Sequence, residues 1–347
     1  MAAPLARLQK VSDSHSQKRQ TLITELLKLL LGFWGDFDGW YDDNLVAGQA
    51  ARSADLVAAA TARARRLARS YTQAVLVDLD AWPTKPPAQV DFYPRSGVSA
   101  LEVYSRPAKQ FVYARSQGAT IEEARKIAND RLGSLATQDV KLGTRDEQRR
   151  IYMGAPKVTG YRRIIHPELS ETGTCGLCVV ASSRIYHSND LMPLHGPSCN
   201  CDTMPITDDD DPGLRINQDD LDRLYEAAGG NAAEDLVNTR VTVNENGELG
   251  PVLWKDGDHF KTAKEAGRPE YRKPTPSNVR DDLTRALANA ETKYADAKKA
   301  HDEFAAQPGA MEPNTPMNSK RVLLFRAQKA LGDHVAALTA ALAGLPK

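Results

Sequence analysis

Apolar residues recur every three or four positions through the first part of this chain, which is the spacing that puts them on one face of an α-helix. In the first predicted helix, which Gly32 and Gly35 interrupt, they are Leu22, Leu26, Leu29, Leu30 and Phe33. A second helix is predicted from Ala54 to about Leu79. Helix returns over residues 98–150, with Thr120 and Glu123 as a capping box and a buried face of Ile121, Ala124, Ile127 and Leu132. We therefore predict a helical region over residues 1–150.

The pattern changes after residue 206. Residues 207–266 are expected to hold a solvated run of aspartates at 208–211, a short helix over 218–228 and a β-hairpin. Alternating residues on both sides of Asn246-Gly247 indicate that hairpin. Residues 267–278 are charged and rich in proline, which is typical of a linker.

The last segment, residues 279–347, carries two heptad patterns separated by prolines. The first pattern comprises Leu283, Leu287, Ala290, Tyr294, Ala297, His301 and Phe304. The second comprises Leu324, Ala327, Leu331, His334, Leu338 and Ala341. Two such helices joined by a proline-rich loop predict an antiparallel α-hairpin with coiled-coil packing. We expect it to bury its apolar seams internally or to dock onto a partner.

Composition narrows the classes of protein that fit. The chain has 347 residues, enough for two or three domains, and equal numbers of basic and acidic residues, 45 of each. A net charge of zero gives no global electrostatic case for binding a membrane or nucleic acid. Contact with nucleic acid is left open. The longest apolar run, residues 26–34, is too short to span a bilayer. Few aromatic residues and many helical patterns predict a mainly α fold with a small loop and strand module.

That module, residues 151–206, holds all four cysteines of the chain within 27 residues. A CxxC pair, a histidine and a CxC pair are spaced as ligands that converge on one Zn²⁺ ion. The predicted metal ligands are Cys175, Cys178, His195, Cys199 and Cys201. Because a closed zinc site takes four ligands, we favour the four thiolates, with His195 as a competitor for one position.

The cysteines, serines and histidines also suit two other kinds of site, disulfides and catalytic pairs. The cysteines would allow two disulfides, but Met1 to Leu8 lack the apolar core of a signal peptide, so we expect a reducing compartment. Cys175 or Cys178 with His195 would make a thiol–imidazole pair. Ser182 or Ser183 with His187 or His166 would make part of a hydrolase site. Neither set has a nucleophile turn, so we predict no catalytic residues and no enzyme.

The order of motifs in the module resembles a known family. Cys175-x-x-Cys178, Pro193-Leu-His195, Cys199-x-Cys201 and then Pro205 are similar to the head-morphogenesis module of tailed phages, found in the Mu F-type minor capsid proteins. The helical region before the module resembles that family too, and residues 247–253 are similar to a segment of actinobacteriophage members. The resemblance is most specific over the cysteine module and extends to about residue 255.

What the resemblance implies is a minor protein of the phage head that acts near the portal during assembly. Its partners would be the portal and capsid proteins, with self-association as a further option. It would be assembled in the bacterial host cytoplasm and reside in the virion. Some related actinophage proteins are labelled capsid maturation proteases, which makes that activity the alternative.

Overall fold

The computed structural model describes residues 5–169, 176–196, 199–228, 241–255, 264–267, 269, 275–313 and 315–345. The mainly α fold with a small strand module is confirmed. The long N-terminal helices are α1 (Leu5–Gly35), α2 (Asp43–Asp78), α3 (Ala100–Ser116) and α4 (Ile121–Met153). The middle of the chain forms β1 (Val158–Ile164), α5 (Gly176–Ser182), β2 (Ile185–His187), β3 (Asp202–Thr207), α6 (Pro212–Ala228), β4 (Val241–Asn246) and β5 (Gly250–Lys255). The C-terminal helices are α7 (Pro276–Ala305) and α8 (Pro316–Ala343).

The chain forms two compact units, and each is built from three separate stretches. The first unit comprises residues 1–34, 48–106 and 129–268, and the second comprises residues 35–47, 107–128 and 269–347. The domain boundaries predicted from the sequence stay predictions. The cysteine module belongs to the first unit, and the C-terminal hairpin to the second.

The predicted helices form, but Leu29 of the first apolar stripe is 61% exposed, and α1 continues through Gly32 to Gly35. The backbone N–H of Thr120 donates to the Glu123 carboxylate at 2.8 Å, and that of Glu123 donates to the Thr120 hydroxyl at 3.2 Å, so the capping box forms. The prediction that Ile127 is buried is wrong, because its side chain is 38% exposed. The buried positions at the start of α4 step by four residues through Ala124, Ala128 and Leu132, and Ile127 lies beside that line.

The second half of α4 is enclosed on every side, although its sequence is polar. Every residue from 139 to 148 is buried. Its charged side chains pair with several neighbouring elements: Asp139 accepts from Arg95, and Glu147 from Arg65 and Arg69. Helix α2 passes closest at Gly143, where an added Cβ atom would come within 2.4 Å of Thr61 Cγ2. Helix α4 is therefore the central helix of the first unit.

The sheet of the cysteine module has the strand order β2-β1-β3, and both pairs are antiparallel. Gly160 in β1 lies opposite His187 and so close to the carbonyl oxygen of Tyr186, at 2.6 Å from an ideal Cβ, that a side chain would not fit. The aspartate run after β3 forms a tight turn, in which the Thr207 backbone N–H donates to the Asp210 carbonyl oxygen and Asp208 and Asp209 are exposed, as expected of a solvated run. Asp211 accepts from the Leu214 backbone N–H at the start of α6 and forms an ion pair with Arg162.

The predicted β-hairpin is confirmed as β4 and β5, paired antiparallel from Val241–Lys255 to Asn246–Gly250. The Asn246 side chain accepts the backbone N–H groups of Glu248 and Leu249, and Gly250 has a φ of +71°, so the loop is a three-residue turn closed by glycine. Strand β5 also holds the loop of the predicted ligand His195. Leu194 forms a parallel bridge with Val252, and its carbonyl accepts from the Leu253 N–H at 2.9 Å.

Helices α7 and α8 form the predicted antiparallel hairpin. The rings of His301 and Phe325 lie 5.7 Å apart, and Gly332 lies against Tyr294. The first predicted seam is correct, because each of its residues is buried or half-buried. The second seam is correct at Leu324, Leu331, His334 and Leu338, but Ala327 and Ala341 are exposed. At these two positions the half-buried residues lie one position later, at Gln328 and Leu342, and Val335 beside His334 is half-buried as well, which fits a four-three repeat.

Half of the predicted linker at residues 267–278 lies outside the described residues. Its last part is not linker, because Thr275 caps α7 and Pro276 occupies the first turn of that helix.

Candidate metal centre

Three of the predicted ligands meet in the interior of the cysteine module. Cys178 lies on α5, and Cys199 and Cys201 lie on the loop that leads into β3. All three thiols are buried and none forms a disulfide. Their sulfur atoms lie within 4.8 Å of one another, and those of Cys178 and Cys199 are 3.6 Å apart. A Zn–S distance of about 2.3 Å places the sulfurs of a tetrahedral ion ~3.8 Å apart, so this cluster fits one metal ion.

The structure does not establish the other two predicted ligands. Cys175 lies outside the described residues. His195 is half-buried on its loop, and its ring nitrogens are not among the donor atoms that lie within 4.8 Å of all three sulfurs. Its role as a ligand stays a prediction. The cysteines are the part of the ligand set that the structure brings together.

Two buried arginines, which the sequence analysis missed, point at the sulfurs. Arg163 on β1 is 0% exposed and donates from Nη1 to Cys199 Sγ at 3.4 Å, with Cys178 Sγ at 3.9 Å. Arg145 on α4 donates from Nη2 to Cys199 Sγ, also at 3.4 Å. Both guanidinium groups also donate to the Pro193 carbonyl oxygen, at 2.7 Å from Arg163 and 3.2 Å from Arg145. The sequence gives no signal for Arg163, because it follows a second arginine, Arg162, near the end of β1.

These contacts shift the pKa values of the Cys199 and Cys201 thiols in opposite directions. Hydrogen bonds from Cys178 and Cys201, aided by Arg145 and Arg163, hold the pKa of Cys199 well below its usual value despite burial. A hydrogen bond with Cys178 lowers the pKa of Cys201, but the Cys199 thiolate and burial outweigh it and raise that pKa to about 11. These directions favour a thiolate at Cys199 over one at Cys201. A divalent ion would release the remaining protons, because thiolates are the ligands.

Helix α1 fixes the backbone of the second cysteine pair. Asp202, which follows Cys201, is fully buried and accepts hydrogen bonds from His15, Ser16, Arg19 and Gln148. Burial raises the pKa of Asp202, but His15 and Arg19 outweigh burial and hold it well below the usual value. Arg19 also donates to the Asn200 carbonyl oxygen at 2.8 Å. His15 and Asp202 are 187 positions apart in the sequence, so their contact joins the loop of Cys199 and Cys201 to a distant part of the chain.

Asn200, between the two cysteines, is held by its side chain. It accepts from Lys141 Nζ at 3.2 Å and donates to the Leu169 carbonyl oxygen at 2.7 Å. Burial, together with the nearby Arg19, lowers the pKa of Lys141 to about 7. The loop that carries Cys199 and Cys201 is therefore fixed by contacts from α1 and α4.

The residues considered for catalysis are engaged elsewhere. The hydroxyls of Ser182 and Ser183 donate to the carbonyl oxygens of Val179 and Val180 in α5, and the His187 side chain is exposed.

His166 lies between Ser12 Oγ, at 3.4 Å from its Nε2, and Glu168, at 2.9 Å from its Nδ1. This order resembles a serine–histidine–acid set, but Ser12 has no exposed surface on which a substrate could bind. The contacts of His166 join α1 to the end of β1.

No protein-family model matches this chain, and no curated protein or solved structure is similar enough to count as a match. None of the helices in the described ranges has the length and hydrophobicity to cross a bilayer. Fold and site together define a mainly α protein with a small strand module, whose buried three-cysteine cluster can hold a metal ion.

Proposed function

We propose that the cysteine cluster binds one structural Zn²⁺ ion. The observation that carries the proposal is the group of three buried sulfurs, on two separate segments, at distances that suit a single ion. Sulfur donors favour zinc or iron–sulfur chemistry over magnesium or calcium. From the sequence, Cys175 is the fourth ligand. A site with four protein ligands leaves no position for a substrate, so the ion would act by joining α5 to the loop before β3.

We further propose that the protein is a minor capsid, or head-morphogenesis, protein that acts near the portal during phage head assembly. The proposal depends on the resemblance in the order of Cys178, Pro193-Leu-His195, Cys199 and Cys201. The mainly α fold around a small cysteine module is compatible with it. In this role the zinc ion keeps the module folded, and other surfaces of the protein make the contacts with portal and capsid proteins.

The test is assembly by co-expression with phage portal and major capsid proteins. Heads purified after co-expression should contain the wild-type protein, detected by mass spectrometry, and should lack Cys199→Ser. Ser183→Ala, at an exposed position directly after α5, is the matched control and should be incorporated normally. Heads that assemble in the presence of the wild-type protein but do not contain it would contradict the proposal. Cleavage of the capsid protein that depends on this chain would favour the protease alternative.

A further inference from the structure

We propose that Arg145 and Arg163 are charge-balancing residues of the metal centre, and that they select a zinc ion bound by four thiolates, with His195 outside the ligand set. This inference rests on the proposed metal binding. It assigns roles to residues outside the ligand set and decides which donors the ion takes.

The first support is the contrast with the other buried arginines of the described ranges. Arg19, Arg65, Arg95 and Arg162 each form an ion pair with a carboxylate, namely Asp202, Glu147, Asp139 and Asp211. Arg145 and Arg163 are equally buried, yet within those ranges they form no ion pair with an aspartate or glutamate and donate to sulfur instead. A buried cation needs an anion beside it, and the cysteine cluster is the group in that place.

The second support is the charge of the centre. Zn²⁺ with four thiolates carries a net charge of minus two, which two guanidinium ions neutralise. Zn²⁺ with three thiolates and a neutral imidazole carries minus one and would leave a buried positive charge uncompensated. Lys141, held against the same loop by Asn200, can only add to the positive side. The arginines therefore fit a set of four thiolates better than a set that includes His195.

The third support is the use of the Pro193-Leu-His195 segment. Both arginines donate to the carbonyl oxygen of Pro193, and the Leu194 carbonyl oxygen accepts from β5. The segment is thus held beside the cysteines through its backbone. A histidine ligand is not required to explain why this loop lies at the site.

The experiment uses the full chain with Zn²⁺ and with Co²⁺ as the probe. Zinc affinity is measured by competition with a chromophoric chelator, and thiolate ligands are counted from the sulfur-to-cobalt charge-transfer absorption. Arg145→Gln and Arg163→Gln should each weaken zinc binding about 10- to 100-fold, the usual effect of losing a partner of a metal ligand. Arg162→Gln is the matched control, because this neighbouring buried arginine pairs with Asp211 and should leave zinc affinity unchanged within about threefold.

His195→Ala should bind one metal ion per chain with the same charge-transfer intensity as wild type. A lower intensity or loss of the ion in His195→Ala would overturn the inference, as would unchanged affinity in both arginine variants. If Arg163→Gln does not fold, Arg145→Gln carries the test, and Arg163→Lys, which keeps the positive charge, should bind zinc more tightly than Arg145→Gln. Wild-type protein that binds no metal ion would overturn the proposed zinc function itself, which is a distinguishable result.

Discussion

The close approach of α2 and α4 at Gly143 leads to a sharp prediction about the packing that positions Arg145. Alanine in place of glycine within a helix normally stabilises by about 1 kcal/mol. At this position, the new Cβ atom would lie 2.4 Å from Thr61 Cγ2, which is far inside van der Waals contact. Overpacking of this kind costs about 1–3 kcal/mol, so Gly143→Ala should lower the free energy of unfolding by ~1–2 kcal/mol.

A second substitution removes the overlap and so tests its cause. Thr61→Ser deletes the Cγ2 methyl group and by itself should cost about 1 kcal/mol, as for one buried methyl group. In the double variant, the two losses should not add, and the coupling energy should be about 1–2 kcal/mol in favour of the pair. Gly133→Ala is the matched control on α4, because its Cβ would meet Leu27 Cδ2 at an ordinary 3.7 Å. It should stabilise the protein by about 0.5–1 kcal/mol.

The assay is urea unfolding followed by circular dichroism at constant zinc concentration, with all four variants and wild type compared at one temperature. Gly143→Ala that is as stable as Gly133→Ala would refute the reasoning. Strictly additive losses in the double variant would also refute it, because the overlap with Thr61 would then not be the cause.

Two further predictions concern buried polar contacts, and a third concerns exposed apolar residues. Glu248→Gln should destabilise the first unit by about 1–3 kcal/mol, because Glu248 pairs with Arg95 and Arg106, whereas Glu245→Gln on the exposed side of β4 should have no measurable effect in thermal unfolding. Asp282→Asn should cost about 2–4 kcal/mol, because Asp282 accepts two hydrogen bonds from Arg115 and one from Tyr41; exposed Asp281→Asn is its control in the same melts. Met311→Glu with Leu323→Glu, both on the exposed side of the C-terminal hairpin, should reduce incorporation into phage heads without changing stability, and equal incorporation to Ala295→Glu would exclude docking through these residues.

Local patterns in the sequence were sufficient to predict much of the fold. The capping box of Thr120 and Glu123 and the turn at Asn246 depend on neighbouring residues only, and both form as predicted. Two positions of the second seam of the C-terminal hairpin, Ala327 and Ala341, were predicted one residue too early. Alanine is apolar enough to fit either heptad register. The seven-residue spacing of Leu324, Leu331 and Leu338 was reliable, since both registers share it.

Long-range polar contacts could not be predicted in the same way. The polar residues at 139–148 of α4 are typical of an exposed helix face, and their burial depends on partners distant in the chain. Cysteine spacing alone predicted that Cys178, Cys199 and Cys201 meet, because few arrangements satisfy a CxxC and a CxC pair together. Spacing gave no indication that Arg145 and Arg163 complete the surroundings of the sulfurs, because that depends on how α4 and β1 pack.

Metal analysis of the full chain, purified under reducing conditions without added metal or chelator, tests the central claim most directly. We predict about one zinc ion per chain by elemental analysis, and its loss in Cys199→Ser, while Ser183→Ala retains it. Protein that is folded, reduced and free of metal, and that does not bind added Zn²⁺, would contradict the account.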